Sequence, residues 1–318
     1  MVDSGRLFTW AWKILPKLPS PLVRGGFDLA ARIAHLARIG GVQQLERNLA
    51  RITRPTPREL RSQSRDGMRR YLRYYAEVFQ LPRLTPAQIA ARVRTVGSEP
   101  TRRALQRGTV VAGLGHLGNW DLAGAWSELN FAHVVTVAEK LTPEELFTQF
   151  LSFRENLGMR ILAYEKGHGV FRELLRAARS DSALMPLLAD RDLSRDGVVV
   201  TVCDEEMRVA PGPAAVAVAA GVPFVGVFIR HERLRGQRRR AAGSPWGIVI
   251  EFTDFIAAPE AIPAEERAAH MMQMWADRFG AFLRAYPQDW HMLQKCFVAD
   301  LDETRLARAS RGAFGEGE

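Results

Sequence analysis

From about Val96 onward, short runs of β-branched and other apolar residues alternate with amphipathic stretches of helical length. Short apolar runs bounded by glycine, proline and polar residues are typical of buried strands. The predicted strands are residues 109–114, 134–138, 183–189, 198–202, 223–229 and 247–252. The predicted helices are residues 122–130, 143–157, 170–179, 213–220 and 264–286. Strands that alternate with helices predict an α/β fold in which helices cover both faces of a sheet.

The amino-terminal part of the chain follows a different pattern. From about residue 7 to residue 80, apolar residues recur every three or four positions, and five prolines interrupt the pattern. Because proline breaks the hydrogen-bond ladder of a helix, this pattern predicts several short helices. We expect a single domain over residues 1–318, with a helical region at 1–96, an α/β core at 97–300 and a tail at 301–318.

The positive charge of the chain is concentrated in this helical region. The net charge is +9, and residues 1–80 hold 15 Lys and Arg against 6 Asp and Glu, so this part carries the whole excess. The asymmetry indicates an anionic partner, either a phospholipid bilayer or nucleic acid, and composition does not separate the two. A predicted helix at 7–18 combines Trp10 and Trp12 with Lys13 and Lys17, which suits a lipid interface. Packing of the same helix into the core is an equally good interpretation.

Several features bear on the compartment of the protein. Cys203 and Cys296 have no Cys or His at metal-ligand spacing, which predicts neither a disulfide nor a zinc site and suits a reducing cytoplasm. The first residues do not follow the pattern of a signal peptide. Residues 211–229 are uncharged and long enough to cross a bilayer, but their prolines and Gly221 favour a buried helix, a turn and a buried strand. The stretch 230–240, with six arginines, predicts a basic loop between two strands.

His116 is the strongest candidate for a catalytic residue. It follows the predicted strand 109–114 directly and precedes a helix that Asn119 or Asp121 would cap. Three glycines punctuate the turn around it: Gly113, Gly115 and Gly118. Strand ends in α/β sheets face the ligand crevice, and a helix amino terminus favours developing negative charge. His168 stands at the same spacing from Glu173, but it lies in a Lys-Gly-His-Gly stretch that predicts a surface loop.

The spacing of His116 and Asp121 suits general base catalysis. Asp121, about one helical turn beyond, could accept a hydrogen bond from the imidazole, fix its tautomer and raise its basicity. A neutral imidazole would then take a proton from a substrate hydroxyl. The sequence has no Gly-x-Ser-x-Gly elbow, no Walker phosphate loop and no Gly-x-Gly-x-x-Gly signature. Direct attack of the deprotonated hydroxyl on an activated acyl group is therefore favoured over a covalent intermediate.

The segment Gly-His116-Leu-Gly-Asn-Trp-Asp121 resembles the His-x4-Asp signature of the bacterial lipid acyltransferases. The resemblance is closest to the branch that contains the lipid A late acyltransferases and the actinobacterial phosphatidylinositol mannoside acyltransferases. Further stretches resemble the mannoside branch in the same order: Thr136-Val-Ala-Glu-Lys-Leu, Phe153-Arg-Glu-Asn-Leu-Gly, Leu188-Ala-Asp-Arg-Asp-Leu-Ser-Arg, residues 208–214 and Tyr286-Pro-Gln-Asp-Trp-His-Met-Leu-Gln. Several motifs in one order make coincidence an unsatisfactory explanation. The resemblance implies a central mixed sheet flanked by helices on both faces, as in glycerolipid acyltransferases.

The resemblance also implies roles for particular residues. His116 matches the catalytic base, and Asp190 falls where the mannoside branch has a glutamate that relays charge to the histidine. Either Asp190 or Asp121 would then be the partner of His116. Glu139 and Arg154 match polar residues of the substrate groove, where Arg154 would bind phosphate or stabilise charge at the thioester carbonyl. An ordinary surface ion pair is the alternative for these two residues. Asp196 lies in a loop that approaches acyl-CoA in that branch.

The expected reaction transfers a long fatty acyl chain from acyl-CoA, or from acyl carrier protein, to a mannose hydroxyl of a phosphatidylinositol mannoside. Neither a metal nor a resident cofactor is required, because acyl-CoA is a co-substrate. We expect a peripheral protein on an anionic phospholipid bilayer at the cytoplasmic face of the plasma membrane. One alternative is acylation of another glycolipid such as lipid A. The more distant alternative is a basic nucleic-acid-binding protein that uses residues 58–73 and 230–240, although the sequence lacks a recognised binding motif.

Overall fold

The computed structural model describes residues 11–139, 144–164, 170–194 and 196–301. His168, the predicted tail beyond residue 301 and the first residues of the predicted helix at 7–18 lie outside this part. The described part contains a helical amino-terminal region and an α/β core, as the sequence predicts.

Three long helices form the amino-terminal region: α1 (Ser20–Leu36), α2 (Gly40–Thr53) and α3 (Pro57–Gln80). Helix α3 begins with a capping box, in which the Thr56 side chain accepts from the Glu59 amide and the Glu59 side chain accepts from the Thr56 amide. These helices pack on a small apolar cluster of their own, formed by Ala31, Val42, Leu45, Leu49 and Met68. The proline break at residues 55–57 separates α2 from α3 as predicted, whereas α1 and α2 are separated at residues 37–39 without a proline, and the three helices are longer than predicted.

Nine strands follow in the described residues: β1 (Val93–Val96), β2 (Val110–Leu114), β3 (Val135–Glu139), β4 (Arg160–Tyr164), β5 (Leu184–Leu188), β6 (Val198–Val202), β7 (Glu205–Val209), β8 (Phe224–Arg233) and β9 (Trp246–Phe255). The central sheet has the strand order β1-β9-β8-β2-β5. It is mixed, because β2 runs parallel to β5 and β8 whereas β8 and β9 are antiparallel. Strands β3 and β4 form a parallel pair, and β6 and β7 form a hairpin.

The shorter helices alternate with these strands: α4 (Pro86–Arg92), α5 (Ser98–Leu105), α6 (Trp120–Asn130), α7 (Glu144–Asn156), α8 (Val170–Ser180), α9 (Gly212–Ala220), α10 (Gly236–Ala242) and α11 (Arg267–Ala285). All six predicted strands and all five predicted helices of the core are confirmed, with ends that differ by a few residues. The prediction missed β1, β4 and β7. Strand β1 joins the central sheet although it lies within the stretch 1–96 that was predicted to be helical.

The stretch 230–240 corrects one prediction. It is not a loop, because residues 230–233 continue strand β8 and α10 begins at Gly236. Pairing with β9 extends β8 to Arg233, opposite Trp246. Two of its six arginines pair with nearby glutamates as well: Arg230 Nε donates to Glu251 Oε1 at 2.6 Å, and Arg238 Nη2 lies 2.8 Å from Glu232 Oε1. A high arginine content obscured an ordinary strand and a short helix.

The stretch 211–229 folds as predicted into helix α9, a turn and strand β8. Gly221 ends the helix with a φ of 70°, a left-handed conformation that glycine adopts without strain. Within the described residues, no helix is both long and apolar enough to span a bilayer.

The two faces of the central sheet have different coverings. Helix α11 packs on one face, where Trp275 and Phe279 stack at 4.6 Å and Phe279 lies 5.7 Å from Phe228 of β8. The opposite face, which carries Leu114 of β2 and Ile229 of β8, faces helix α6 across a cavity. The carboxyl end of β2 therefore lies at the edge of this cavity.

Candidate active site

His116 lies two residues beyond the end of β2, and glycines before and after it allow the chain to pack closely against neighbouring elements. A Cβ atom at Gly113 would lie 2.8 Å from Trp275 Nε1, and one at Gly115 would lie 2.6 Å from the Phe279 ring. Gly118 has a φ of 55°, and a Cβ there would lie 2.8 Å from the Ile229 carbonyl oxygen. The glycine pattern thus lets the turn pass close beneath α11 and β8.

The sheet brings Asp190 to His116. Strands β2 and β5 are parallel neighbours in which Leu114 pairs with Leu188, so the residues two positions further along each strand lie side by side. His116 Nδ1 lies 2.6 Å from Asp190 Oδ1, and the His116 amide donates to Asp190 Oδ2 at 2.8 Å. The aspartate is one methylene shorter than the glutamate of the mannoside branch, and it still reaches the imidazole.

Burial and charge have opposite effects on this pair. Asp190 is fully buried, and the His116 side chain is 35% exposed. Burial lowers the pKa of His116, but the charge of the Asp190 carboxylate and its hydrogen bond outweigh burial and raise that pKa above its ordinary value. Burial raises the pKa of Asp190, but the charge of His116 and three hydrogen bonds lower it. The imidazole is a strengthened base whose tautomer is fixed by a carboxylate, which suits it for accepting a proton from a hydroxyl.

Asp121 does not contact His116 in this structure. It is almost fully buried, with Oδ1 accepting from Arg154 Nε at 2.7 Å and Oδ2 accepting from the Tyr74 hydroxyl at 2.7 Å. Of the two predicted partners, Asp190 is the one that contacts the histidine. Burial lowers the pKa of Arg154, but the Asp121 carboxylate outweighs it and the net pKa is raised, so the guanidinium stays charged. Asp121 therefore links α6 to α7 and α3.

Asn119 caps helix α6, as one of the two predicted alternatives. Its Oδ1 accepts from the Leu122 amide at 2.9 Å, and its Nδ2 donates to Glu77 Oε2 on α3 at 2.8 Å. The turn that carries His116 is thus fixed at its distal end to the amino-terminal region.

Residues 289–291 pair with the turn from the other side, and none of them was singled out as a site residue from the sequence. Leu117 and Trp290 form an antiparallel bridge, the Gly118 amide donates to the Asp289 carbonyl at 3.0 Å, and the His291 amide donates to the His116 carbonyl at 2.8 Å. Trp290 Nε1 also donates to Asp190 Oδ2 at 2.8 Å. The only sequence signal for this segment is the Asp-Trp-His stretch within the resemblance.

A second His–Asp pair lies behind this segment. The Asp289 carboxylate is fully buried, lies 2.9 Å from His231 Nδ1 and forms a hydrogen bond with Arg70 of α3. Burial raises the pKa of Asp289, but these two partners outweigh it and keep the carboxylate ionised. Burial lowers the pKa of the neighbouring His291 to about 3, which leaves its ring neutral.

An apolar cavity of about 640 Å³ lies between the sheet and α6, and residues on both sides of the His116 turn, Leu114 and Trp120, line it. Trp120 is part of its wall, and the rings of Trp120 and His116 lie 6.0 Å apart, edge to face. One face of α6 lines the cavity with Trp120 and three small residues spaced three and four apart: Ala123, Gly124 and Ser127. Apolar side chains from α8, β2, β5, β8 and β9 form another part of the wall: Leu174, Ala112, Leu114, Leu184, Leu187, Val227, Ile229, Ile250 and Phe252.

Polar residues also line the cavity. Asp121 and Arg154 lie on its wall, and Asp192, Ser194 and Asp196 contribute from the loop between β5 and β6. Asp196 is exposed, and its amide donates to the Ser194 hydroxyl at 3.3 Å. The structure thus brings Arg154 and Asp196 to the same cavity.

Glu139 is placed differently from the other predicted substrate residues. It ends β3, is exposed, and is not among the described residues that line the cavity. Within the described residues, no group of three or more His, Cys, Asp and Glu side chains is arranged to hold a metal ion.

Comparison with known proteins gives this geometry a context. The sequence pattern of the bacterial lipid A biosynthesis acyltransferases matches residues 6–298, which is most of the chain. The chain belongs to this family. It is therefore an acyltransferase, and its mixed sheet with flanking helices is the fold that the resemblance implies.

Curated relatives of this acyltransferase carry a more specific name. The phosphatidylinositol mannoside acyltransferase of Mycolicibacterium smegmatis is 35% identical over 300 residues, which cover 93% of this chain and 92% of the relative. The protein of the same name from Mycobacterium tuberculosis is 35% identical over 301 residues, which cover 93% of this chain and 89% of the relative. The similarity thus extends over the helical region and the core alike.

Proposed function

We propose that this acyltransferase transfers a long fatty acyl chain from acyl-CoA to a mannose hydroxyl of a phosphatidylinositol mannoside. The observation that carries the proposal is the His116–Asp190 pair next to Trp120, which lines the 640 Å³ apolar cavity. The names of the curated relatives support the acceptor. The acyl group of the donor would lie in the cavity, and the acceptor hydroxyl would approach His116 from the exposed side of the imidazole.

In the proposed reaction, His116 Nε2 takes the proton of the mannose hydroxyl, and the hydroxyl oxygen attacks the thioester carbonyl carbon. The tetrahedral intermediate expels the CoA thiolate, which takes the proton back from the imidazolium as the carbonyl reforms. Because Nδ1 is bonded to Asp190, Nε2 is the ring nitrogen left for the substrate. Asp190 stabilises the imidazolium that forms, and no covalent enzyme intermediate or metal takes part.

We assign separate roles to the other predicted residues. Arg154, held by Asp121, would place a positive charge beside the thioester carbonyl as negative charge develops there. Asp196 would lie near the CoA moiety, where the loop between β5 and β6 lines the cavity. Glu139, at the exposed end of β3, would contact the acceptor outside the cavity.

The test of this function is a product analysis of a single-residue variant. His116→Ala should lower acyl transfer from palmitoyl-CoA to a phosphatidylinositol mannoside by at least about 100-fold, because general base catalysis contributes that much. The matched control is His270→Ala, since His270 lies on α11 away from the described site residues. Transfer by the His116 variant at the wild-type rate, with the fold intact by circular dichroism, would contradict the proposal.

A different glycolipid acceptor is the second candidate, because the matching family is described by lipid A biosynthesis. Incubation of the wild-type protein with phosphatidylinositol mannosides, lipid A precursors and simple phospholipids in parallel would separate the two. Acylation of lipid A precursors alone would replace the proposed acceptor and leave the role of His116 in place.

We also propose that helix α1 docks on an anionic phospholipid bilayer at the cytoplasmic face of the plasma membrane. Four apolar side chains share one face of this helix and are 66, 58, 58 and 80% exposed: Leu22, Leu29, Ile33 and Leu36. They lie in the region that carries the whole net positive charge. Apolar side chains beside basic residues are the combination that interfacial helices use. Trp12, by contrast, packs against Phe79, Phe150 and Phe153 at about 5 Å, which favours the core-packing interpretation for its helix.

Vesicle co-sedimentation tests this docking. Leu29→Gln with Ile33→Gln should lower binding to phosphatidylinositol-containing vesicles at least tenfold, because two buried apolar side chains contribute about 3 kcal/mol or more. Val199→Gln, a 51% exposed apolar residue on β6, is the matched control. Equal sedimentation of both variants would contradict docking through α1. Binding to oligonucleotides without vesicle binding would favour the nucleic-acid alternative.

A further inference from the structure

The Asp190 carboxylate receives more hydrogen bonds than the contact with the catalytic histidine requires. Oδ2 accepts from two donors, the His116 amide at 2.8 Å and Trp290 Nε1 at 2.8 Å, and Oδ1 faces the imidazole at 2.6 Å. Two donors on one oxygen fix the rotation of the carboxylate, because both belong to backbone or to a rigid ring. The second oxygen is thereby directed at His116.

Trp290 is held in place by its own surroundings. The ring is fully buried and packs edge to face against Phe279 at 6.0 Å and Phe297 at 6.2 Å. Its backbone bridges Leu117, next to the catalytic histidine. The indole N–H therefore has one stable direction, and that direction is towards Asp190.

The segment is also anchored from the side away from His116. The Asp289 side chain accepts from the His231 amide at 3.0 Å and pairs with Arg70, which ties Trp290 to β8 and α3. Two parts of the chain far apart in sequence thus hold the indole against the carboxylate.

We propose that Trp290 is a positioning residue for acyl transfer, whose indole N–H orients the Asp190 carboxylate towards His116. The proposal rests on the proposed role of His116 as the base. Trp290 does not touch the reacting atoms, and it acts through Asp190 alone. Loss of the N–H would leave the His116 amide as the one remaining donor to Oδ2, so the carboxylate would be held less firmly and its negative charge would be less neutralised.

Two effects follow from the loss of this donor. A misdirected base slows the chemical step about ten- to a hundredfold without changing substrate binding. A less neutralised carboxylate binds the imidazolium more strongly, so the neutral base appears only at higher pH. Arg191, His291 and Cys296 are the other titratable groups near the pair. His291 and Cys296 do not change their protonation near neutral pH, since burial lowers the pKa of His291 to about 3 and raises the pKa of the Cys296 thiol.

The experiment compares Trp290→Phe with Trp275→Phe. Trp275 is equally buried, and its indole N–H donates to the carbonyl of Gly113 on β2 at 3.0 Å. Trp275→Phe therefore removes the same kind of hydrogen bond without removing a donor to Asp190. Trp290→Phe should lower kcat at least tenfold relative to Trp275→Phe and leave KM within twofold. In a plot of kcat against pH, its acid limb should move to higher pH. Equal kcat values for the two variants, or an acid limb that stays in place or moves to lower pH, would overturn the proposal.

Two further measurements keep the outcomes separate. If Trp290→Phe does not fold, a benzothienylalanine residue at position 290 keeps the bicyclic ring and lacks the N–H, and the same changes are expected. In an Asp190→Asn background, Trp290→Phe should have no further effect on kcat, and an additive loss would overturn the proposal. Retained activity of His116→Ala would defeat the proposed function itself. An inactive His116→Ala variant beside a Trp290→Phe variant that matches its control would defeat only the role of Trp290.

Discussion

At the scale of single residues, the chemistry depends on which carboxylate faces His116. Asp121 and Asp190 are both buried, but one is neutralised by Arg154 and Tyr74 and the other has the imidazole as its ionisable partner. The charge of Asp190 therefore raises the pKa of His116, whereas the charge of Asp121 stabilises the contact between α6 and α7 through Arg154. The shorter aspartate suffices because β2 and β5 are adjacent and in register.

Asp190→Asn tests whether the charge of Asp190 controls the pKa of His116. Without the carboxylate charge the pKa of His116 falls, so the acid limb of the kcat profile should move to lower pH. The maximal rate should fall by about 10²- to 10⁴-fold, because the imidazole is a weaker base and its tautomer is no longer fixed. Measurement of kcat between about pH 5 and pH 9 checks both effects. Asp277→Asn, at an exposed aspartate of α11, should leave the limb in place.

Whether the sequence predicts a member of the His116–Asp190 pair depends on how far along the chain its signals lie. His116 is predictable because the signals around it are local: an apolar strand before it, glycines beside it and a capped helix after it. Asp190 enters through the resemblance alone, since a contact across 74 residues leaves no trace in local spacing. The spacing of five between His116 and Asp121 indicated a contact that the structure does not have, because Asp121 points towards Arg154.

At the scale of elements, the turn between β2 and α6 is built on backbone conformation. Gly118→Ala should lower kcat at least about tenfold and reduce the free energy of unfolding by about 1–2 kcal/mol or more, because alanine is strained at a φ of 55° and its Cβ would meet the Ile229 carbonyl. Thermal unfolding and kcat measured together check this. Gly40→Ala, at a helix start with open space around it, should change neither. A Gly118 variant as active and stable as wild type would show that the turn tolerates another path.

The link between α6 and α7 makes a different prediction. Arg154→Leu leaves the buried Asp121 carboxylate with Tyr74 as its remaining hydrogen-bond donor in the described structure, which should cost about 3–5 kcal/mol and lower Tm by several degrees. Adding Asp121→Asn should recover part of the loss, because the unpaired charge is removed. Arg160→Leu breaks an exposed pair with Asp181 of similar length, 2.8 Å, and should cost less than about 1 kcal/mol. Similar Tm values for the two single variants would contradict the burial argument.

Several of the segments that the sequence mispredicted share a physical cause. Strands β1 and β7 are short and contain charged residues, and Arg230 to Arg233 of β8 look like a basic loop, so their pattern resembles that of exposed segments. Pairing with a neighbouring strand overrides that local preference. The five predicted helices of the core were found because their apolar spacing is a local property that packing reinforces.

At the scale of the whole molecule, the fold separates the proposed chemistry from the proposed binding of the acyl chain. The His116–Asp190 pair lies at the carboxyl edge of the sheet, and the cavity extends from there between the sheet and α6. Its volume depends on the small residues on one face of α6, which leave space that larger side chains would fill. The sequence predicts a helix at this position, but not the cavity, because the cavity volume depends on residues from nine helices and strands that are far apart in the sequence.

Ala123→Phe should therefore separate long from short acyl donors. A phenyl ring on this face of α6 would occupy space that several methylenes of the acyl chain need, and each buried methylene contributes about 0.8 kcal/mol. Transfer from palmitoyl-CoA should fall at least tenfold, whereas transfer from butanoyl-CoA should stay within twofold of wild type. Leu129→Phe, half exposed on the opposite face of the same helix, is the control that should leave both donors unaffected. An equal loss with both donors would place the ring against the reacting groups instead, and an unchanged rate with both would mean that the acyl chain takes another path.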